Sequence, residues 1–278
     1  MILSSFNKIV LANFLGLSVL GLIAFRMFTF SQFPQVLNRD ELALAYNAWT
    51  ITTNGVDEWG ESFPLVFRSF GDYKLPGYIY SLSGLFLMFG DHDFLIRVPS
   101  LLASVGIAMV TFLIGYRLTT SIVSGAVLSV VVATSQWALH YGNVGFEANL
   151  SLLFFIIAVI GYWKSRQDTK WFLLGSIAYF VSAMTYNTPM LLIPPLLIVM
   201  MFLRRVSVFQ VVITGLLWVT IIASQSTAIM GKTGISIFSD QGLRLQQQEL
   251  RQKNTTILGR VQYHPVSFYA QTIATNMV

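Results

Sequence analysis

Asp40 and Glu41 stand side by side in Asn38-Arg39-Asp40-Glu41, where a helical pattern begins. A carboxylate so placed can take the proton of an attacking hydroxyl. The same residues also have a purely local reading. Asn38 can cap the helix with Glu41 as its capping-box partner, and an acid at Asp40 favours the helix dipole. Behind them Leu42, Ala45, Tyr46 and Trp49 recur at helical spacing as one apolar face. Trp and Tyr favour the membrane interface, so this helix is expected to lie on the membrane surface.

A second group follows Asp57-Glu58, Glu61 and Arg68, in the run Gly71-Asp72-Tyr73-Lys74-Leu75-Pro76-Gly77. Gly71 and Pro76 punctuate a turn that holds Asp72 and Lys74 at the interface. Such a pair suits a phosphate and a hydroxyl, and it suits a surface ion pair equally. Asp91-His92-Asp93 has the residue types of a metal cluster but no supporting signal, so it reads as solvated loop and no metal site is assigned. Arg97-Val98-Pro99-Ser100 opens the next apolar run, with Arg97 at the interface. Glu147, in Gly145-Phe146-Glu147-Ala148-Asn149-Leu150, starts another. A carboxylate at a membrane boundary is either functional or a complement to a helix N-terminus. Gly231-Lys232-Thr233 is no phosphate-binding loop, because Ser226 stands at the first glycine position and no strand precedes it.

The elements that must position these groups are apolar helices. The chain of 278 residues is 55% hydrophobic and 10% charged, against about 25% charged in an average soluble domain. The net charge of +5 reads as topology information rather than a nucleic-acid surface, since no basic patch with interleaved aromatics occurs. With no cysteine there is no disulfide, thiolate metal site or Cys nucleophile. Lys8 precedes an apolar run reaching Phe30, expected to be an uncleaved first span.

Runs long enough to cross a bilayer fall at 8–30, 98–116, 122–140, 148–163, 170–187, 188–203 and 208–225. The segment 75–90 is shorter and is either a short span or an interfacial helix. Basic residues decide between the two. If 75–90 does not cross, Arg117, then Lys164, Arg166 and Lys170, then Arg204 and Arg205 all fall in short inside loops, while 141–147 and the turn near 187 carry no Lys or Arg. The expected fold is therefore all-α, a polytopic transmembrane bundle of about seven spans with interfacial helices in a large first outer loop, 31–97. Residues 1–225 form the membrane module, and 226–278 form an external segment that starts a larger outer loop. Of the 12 Asp and Glu, all but Asp168 then gather on the outer side.

In this order the motifs resemble the GT-C superfamily of membrane glycosyltransferases. The likeness is to the protein O-mannosyltransferase and aminoarabinose transferase group (glycosyltransferase family 39-like), and to its front part. The resemblance rests on Asp40-Glu41 after the first span, the Lys74 turn before a short apolar helix, and Arg97 to Ser100 opening the next span. It continues with Glu147 after the third span and with Ser236-Ile237-Phe238-Ser239 in a long external segment. It implies inverting transfer of a sugar from a polyprenyl-phosphate donor to a protein, lipid or glycan acceptor, on the extracytoplasmic side of what is expected to be a bacterial plasma membrane. It implies Asp40 as general base, Glu41 positioning it, and Glu147 orienting a hydroxyl. Lys74, with Asp72 and Arg97, falls on the donor phosphate side. The sequence itself requires no cofactor and leaves a divalent metal open. Tyr73 stands where the aminoarabinose transferases carry the Glu of a Glu-Lys-Pro turn, and Leu75 separates Lys74 from Pro76, so no metal site is carried over. A transporter or flippase would need ionisable residues along a path through the membrane, and only Arg26 approaches that description. A non-catalytic membrane subunit is the third reading.

Overall fold

The computed structural model describes residues 21–26, 28–29, 37–69 and 72–225. Residues 21–26 and 28–29 are helical; the rest of the first expected span, and 226–278 with its Ser236–Ser239 motif, lie outside the described residues. In order come α1 (Arg39–Asn54), β1 (Phe67–Ser69), β2 (Asp72–Lys74), α2 (Pro76–Phe89), a 3-10 turn (Asp93–Arg97) and α3 (Val98–Thr119). Then follow α4 (Ile122–Ala133), α5 (Gln136–Asn143), α6 (Glu147–Lys164), α7 (Thr169–Ala183), α8 (Thr188–Phe202) and α9 (Val208–Ser224).

Among the described residues two helices, Asp93–Thr119 and Glu147–Lys164, are long and apolar enough to cross a membrane; α4 with α5 makes a third if the bent pair counts as one. α8 and α9 are shorter apolar helices. The continuous span expected over 122–140 is thus broken, with a bend of 62°. The cause is local. Thr134 returns its hydroxyl to Val130 O, and Ser135 caps α5 by accepting from Ala138 N. Arg26 bridges the break, donating to Ala133 O at 3.0 Å on one side of it and to Ala138 O at 2.9 Å on the other.

The described residues are mostly helical, with one small strand pair beside the helices. β1 and β2 form a short antiparallel hairpin in which Phe67 faces Lys74, Arg68 faces Tyr73 and Ser69 faces Asp72. α1 does not expose one side and bury one stripe. Its buried residues, Glu41, Ala43, Leu44, Ala45, Tyr46, Asn47, Ala48, Thr50 and Ile51, run round most of the helix, because α2 and the 3-10 turn pack over it. Leu44, Ala48, Phe67, Ile79, Leu82 and Ile96 form one apolar core there. A second joins α6, α7, α8 and α9 through Ala158, Tyr162, Tyr179, Ile193, Met200 and Ile221, and it includes Leu75. The hairpin exit therefore lies on the seam between the two cores.

α3 and α6 run parallel: Asn149 Nδ2 donates to Ser100 O and Ser104 Oγ, and Gly106 lies against Leu153. α6 and α7 touch along backbone, since a Cβ at Gly161 would stand 2.6 Å from Gly175 Cα. α2 leaves and returns to one end of the bundle. Tyr78 Oη donates to Ile96 O at 2.8 Å, so the connector 90–97 must cover whatever distance α2 travels. Most of that connector is 3-10 turn, and its reach of roughly 20 Å falls short of the ~30 Å hydrocarbon core.

The bundle is polarised. At one end Arg166 Nη1 donates to Arg204 O, Lys164 lies 4.3 Å over the Trp171 ring and Arg205 lies 4.2 Å over Trp163. Amphipathic aromatics paired with cations suit a headgroup layer. The other end carries Asp40, Glu41 and Glu147.

Candidate active site

The acidic end is built from four segments remote in sequence. The first is the start of α1. Asn38 Oδ1 accepts from Glu41 N at 2.9 Å, and Glu41 Oε2 accepts from Asn38 N at 3.0 Å, closing a capping box. This turn puts Asp40 and Glu41 on different sides of the chain. Glu41 is 1% exposed, whereas the Asp40 side chain is 52% exposed and opens to solvent.

Glu41 is the strut. Besides its cap bond, it takes Arg97 Nε at 2.6 Å and Arg97 Nη2 at 3.1 Å, and Gly145 N at 2.8 Å. One buried carboxylate thereby ties α1, the entry to α3 and the turn before α6. Its lone pairs are satisfied, as burial of a charge requires. The close approach at Gly145 needs a residue without a side chain: a Cβ there would stand 3.0 Å from Ile96 O and 3.3 Å from Glu41 Cγ. Tyr78 supports the same corner through its bond to Ile96 O. Burial pushes its phenol well above the ordinary range, which keeps it a donor. Ser100 Oγ accepts from Phe146 N at 3.0 Å, fixing the residue before Glu147.

Lys74 supplies the third segment and Glu147 the fourth. Lys74 ends β2, and the following Leu75 is buried in the second core while Gly77 N donates to Met184 O at 2.8 Å. The ammonium is thereby pinned between two acids, 3.0 Å from Asp40 Oδ1 and 3.5 Å from Glu147 Oε1. Glu147 opens α6 and its side chain is 4% exposed; that of Lys74 is 12% exposed. Glu147 thus complements its helix N-terminus and also belongs to the cluster.

The structure brings together Asp40, Lys74 and Glu147 from positions spread over more than a third of the chain. Arg97, expected on the phosphate side, stands instead inside the protein with its guanidinium on Glu41, because a buried carboxylate needs a buried counter-charge. Glu41 likewise faces no opening and acts through its neighbours. The side chain of Asp72 lies outside the described residues; its backbone pairs with Ser69. Asp91, His92 and Asp93 are exposed, and among the described residues no group of His, Asp or Glu could hold a metal ion. Gly145, Tyr78 and Ser100 escape sequence reasoning because their partners lie remote along the chain and leave no local spacing to read.

Two acids flanking one ammonium can accept a proton at the exposed acid, orient a hydroxyl at the buried one and balance an anion between them. Fold and cluster together define a helical protein with membrane-length apolar helices and a charged cluster at one end of its bundle. No family model, curated protein or solved structure matches the chain.

Proposed function

We propose that the chain is the membrane-embedded catalytic module of an inverting glycosyltransferase that takes its sugar from a polyprenyl-phosphate carrier. The observation that carries this reading is the Lys74 ammonium held between Asp40 and Glu147. In the proposed reaction Asp40 takes the proton of the acceptor hydroxyl as that oxygen bonds to the anomeric carbon. The bond from that carbon to the phosphate oxygen breaks, and its electron pair leaves with the polyprenyl phosphate. Attack opposite the leaving group inverts the anomeric configuration. Phosphate leaves readily without protonation, so a cation suffices on that side, and Lys74 is the cation at hand. Glu147 holds a hydroxyl of donor or acceptor, and Glu41 with Arg97 keeps the Asp40 turn in place.

The cluster belongs to the extracytoplasmic face in this reading, in a module of about seven spans in a bacterial plasma membrane. The collection of Lys164, Arg166, Arg204 and Arg205 at the opposite end of the bundle supports that sidedness.

The test is donor turnover by the full chain in proteoliposomes containing a panel of polyprenyl-phosphate sugars, with released polyprenyl phosphate measured by mass spectrometry. Wild type releases carrier from its cognate donor in the presence of acceptor extract, and Asp40→Asn slows release at least ~100-fold, the range expected for loss of a general base. Release by Asp40→Asn at the wild-type rate sinks the proposal. Release from no donor by wild type points to a subunit without chemistry of its own.

A further inference from the structure

The hairpin that carries Lys74 has a second face. Successive residues of a strand point to opposite sides. Phe67 and Lys74, opposite each other in register, turn toward α1 and the reaction centre; Arg68 and Tyr73, the next pair, turn away. Away from the centre they line a separate cleft of about 490 Å³, which Ser224 at the end of α9 also lines. This volume lies in the ~300–1,000 Å³ range of small-molecule sites.

The cleft is locally organised. Asp57 is 4% exposed and its Oδ1 accepts from Trp59 N at 2.9 Å and Glu61 N at 2.8 Å, which folds the loop back on itself. Trp59 Nε1 donates to Arg68 O at 2.7 Å, and the Arg68 guanidinium lies 4.9 Å over the indole ring. The indole is thus tied to the hairpin at two points. Around the cleft stand acceptor-only groups (Asp57, Glu61), a donor-only group (Arg68), hydroxyls that do both (Tyr73, Ser224) and the indole. A ligand that matches such a mixture must itself donate and accept at closely spaced points and offer apolar C–H surface beside an aromatic ring. A sugar ring has that chemistry.

We propose that this cleft is a saccharide-binding site, separate from the transfer cluster and on the far side of the hairpin from it. It takes neutral or amino sugars in preference to acidic ones, because Asp57 and Glu61 outnumber Arg68 on its walls. The site does not depend on the transfer reaction; a saccharide binds there whether or not Asp40 acts as a base.

Saturation-transfer NMR tests it on the purified full chain in a polyoxyethylene detergent, whose headgroup carries no sugar. The probes are mannose, N-acetylglucosamine, glucosamine and glucuronate. The expected result is saturation of one or more neutral or amino sugars, unchanged in Asp40→Asn and lost in Trp59→Ala. Trp59 also braces the hairpin, so the exposed Glu61 supplies an independent variant. Glu61→Lys shifts the glucosamine to glucuronate affinity ratio by about tenfold toward the acid, the loss of one charge-assisted contact. No saturation of any probe, or a preference indifferent to Glu61→Lys, overturns the assignment. Loss of binding in Asp40→Asn overturns its separateness from the transfer cluster.

Discussion

Removing the Glu41 carboxylate without changing its size is the most informative perturbation of this fold. In Glu41→Gln the amide retains one acceptor oxygen but replaces the other by a donor. Of the four bonds that Glu41 accepts, from Arg97 Nε, Arg97 Nη2, Gly145 N and Asn38 N, an amide oxygen serves at most half. The rest oppose donor to donor, and the Arg97 guanidinium, 4% exposed, is left without its counter-charge. Breaking a buried ion pair from one side costs ~3–5 kcal/mol. A domain of this size moves by roughly 2–4 °C per kcal/mol, so the melting temperature should fall by about 6–20 °C. Arg97→Met alone leaves a buried carboxylate and should fall comparably, since the Gly145 and Asn38 amides then hold it without a counter-charge. Glu41→Gln with Arg97→Met removes both charges and should recover much of the loss, because apolar replacement of a whole buried pair is often close to neutral. Tryptophan-fluorescence melting of detergent-purified protein gives all four corners of the cycle. Single variants melting within a degree or so of wild type, or losses that simply add in the double variant, would refute the strut.

Four further outcomes follow from the same geometry. Lys74→Gln should cut donor turnover by ~10²-fold or more, the usual effect of removing one preorganised electrostatic group, with Lys74→Arg retaining part of it; turnover kinetics decide. Gly145→Ala should destabilise by about 1–3 kcal/mol through overpacking against Ile96 O, Glu41 and Tyr78, read as a lowered melting temperature. The Tyr78 phenol titrates higher in the folded protein than in the unfolded chain. Its contribution to stability is therefore whole below the unfolded value of about 10 and is lost as pH rises beyond it. Melting temperatures from pH 8 to 11 should fall less steeply in Tyr78→Phe, which starts lower at neutral pH because Ile96 O loses its donor. Asp91→Cys and Gln167→Cys, both at exposed positions in a chain without cysteine, report sidedness with an impermeant maleimide. Labelling at 91 in intact cells, and at 167 only after lysis, is expected; the reverse pattern inverts the topology.

What the sequence by itself determined is local. Asn38 and Glu41 are three positions apart, so their capping box could be read from spacing, and it is present. Pro76, Pro99 and Pro189 each stand in the first turn of a helix, where the missing N–H costs nothing. The apolar runs at 98–116 and 148–163 are membrane-length helices because their composition leaves them few other places to go. Tertiary structure decided the rest. A hydropathy window cannot see the bend in 122–140, since the two helices taken together are still apolar enough for one span and the break is bridged by Arg26, more than 100 positions away. Arg97 and Lys74 are both cations flanking α2, and nothing in their neighbours says which is spent inside. The distinction comes from Glu41, buried at the corner where α1, α3 and α6 meet, which demands the nearer guanidinium. Lys74, at the end of a strand too short to announce itself by alternation, is left between the exposed Asp40 and the half-turn that starts α6. Contacts across such distances depend on how whole elements pack, and packing is a property of the assembled chain rather than of any window along it.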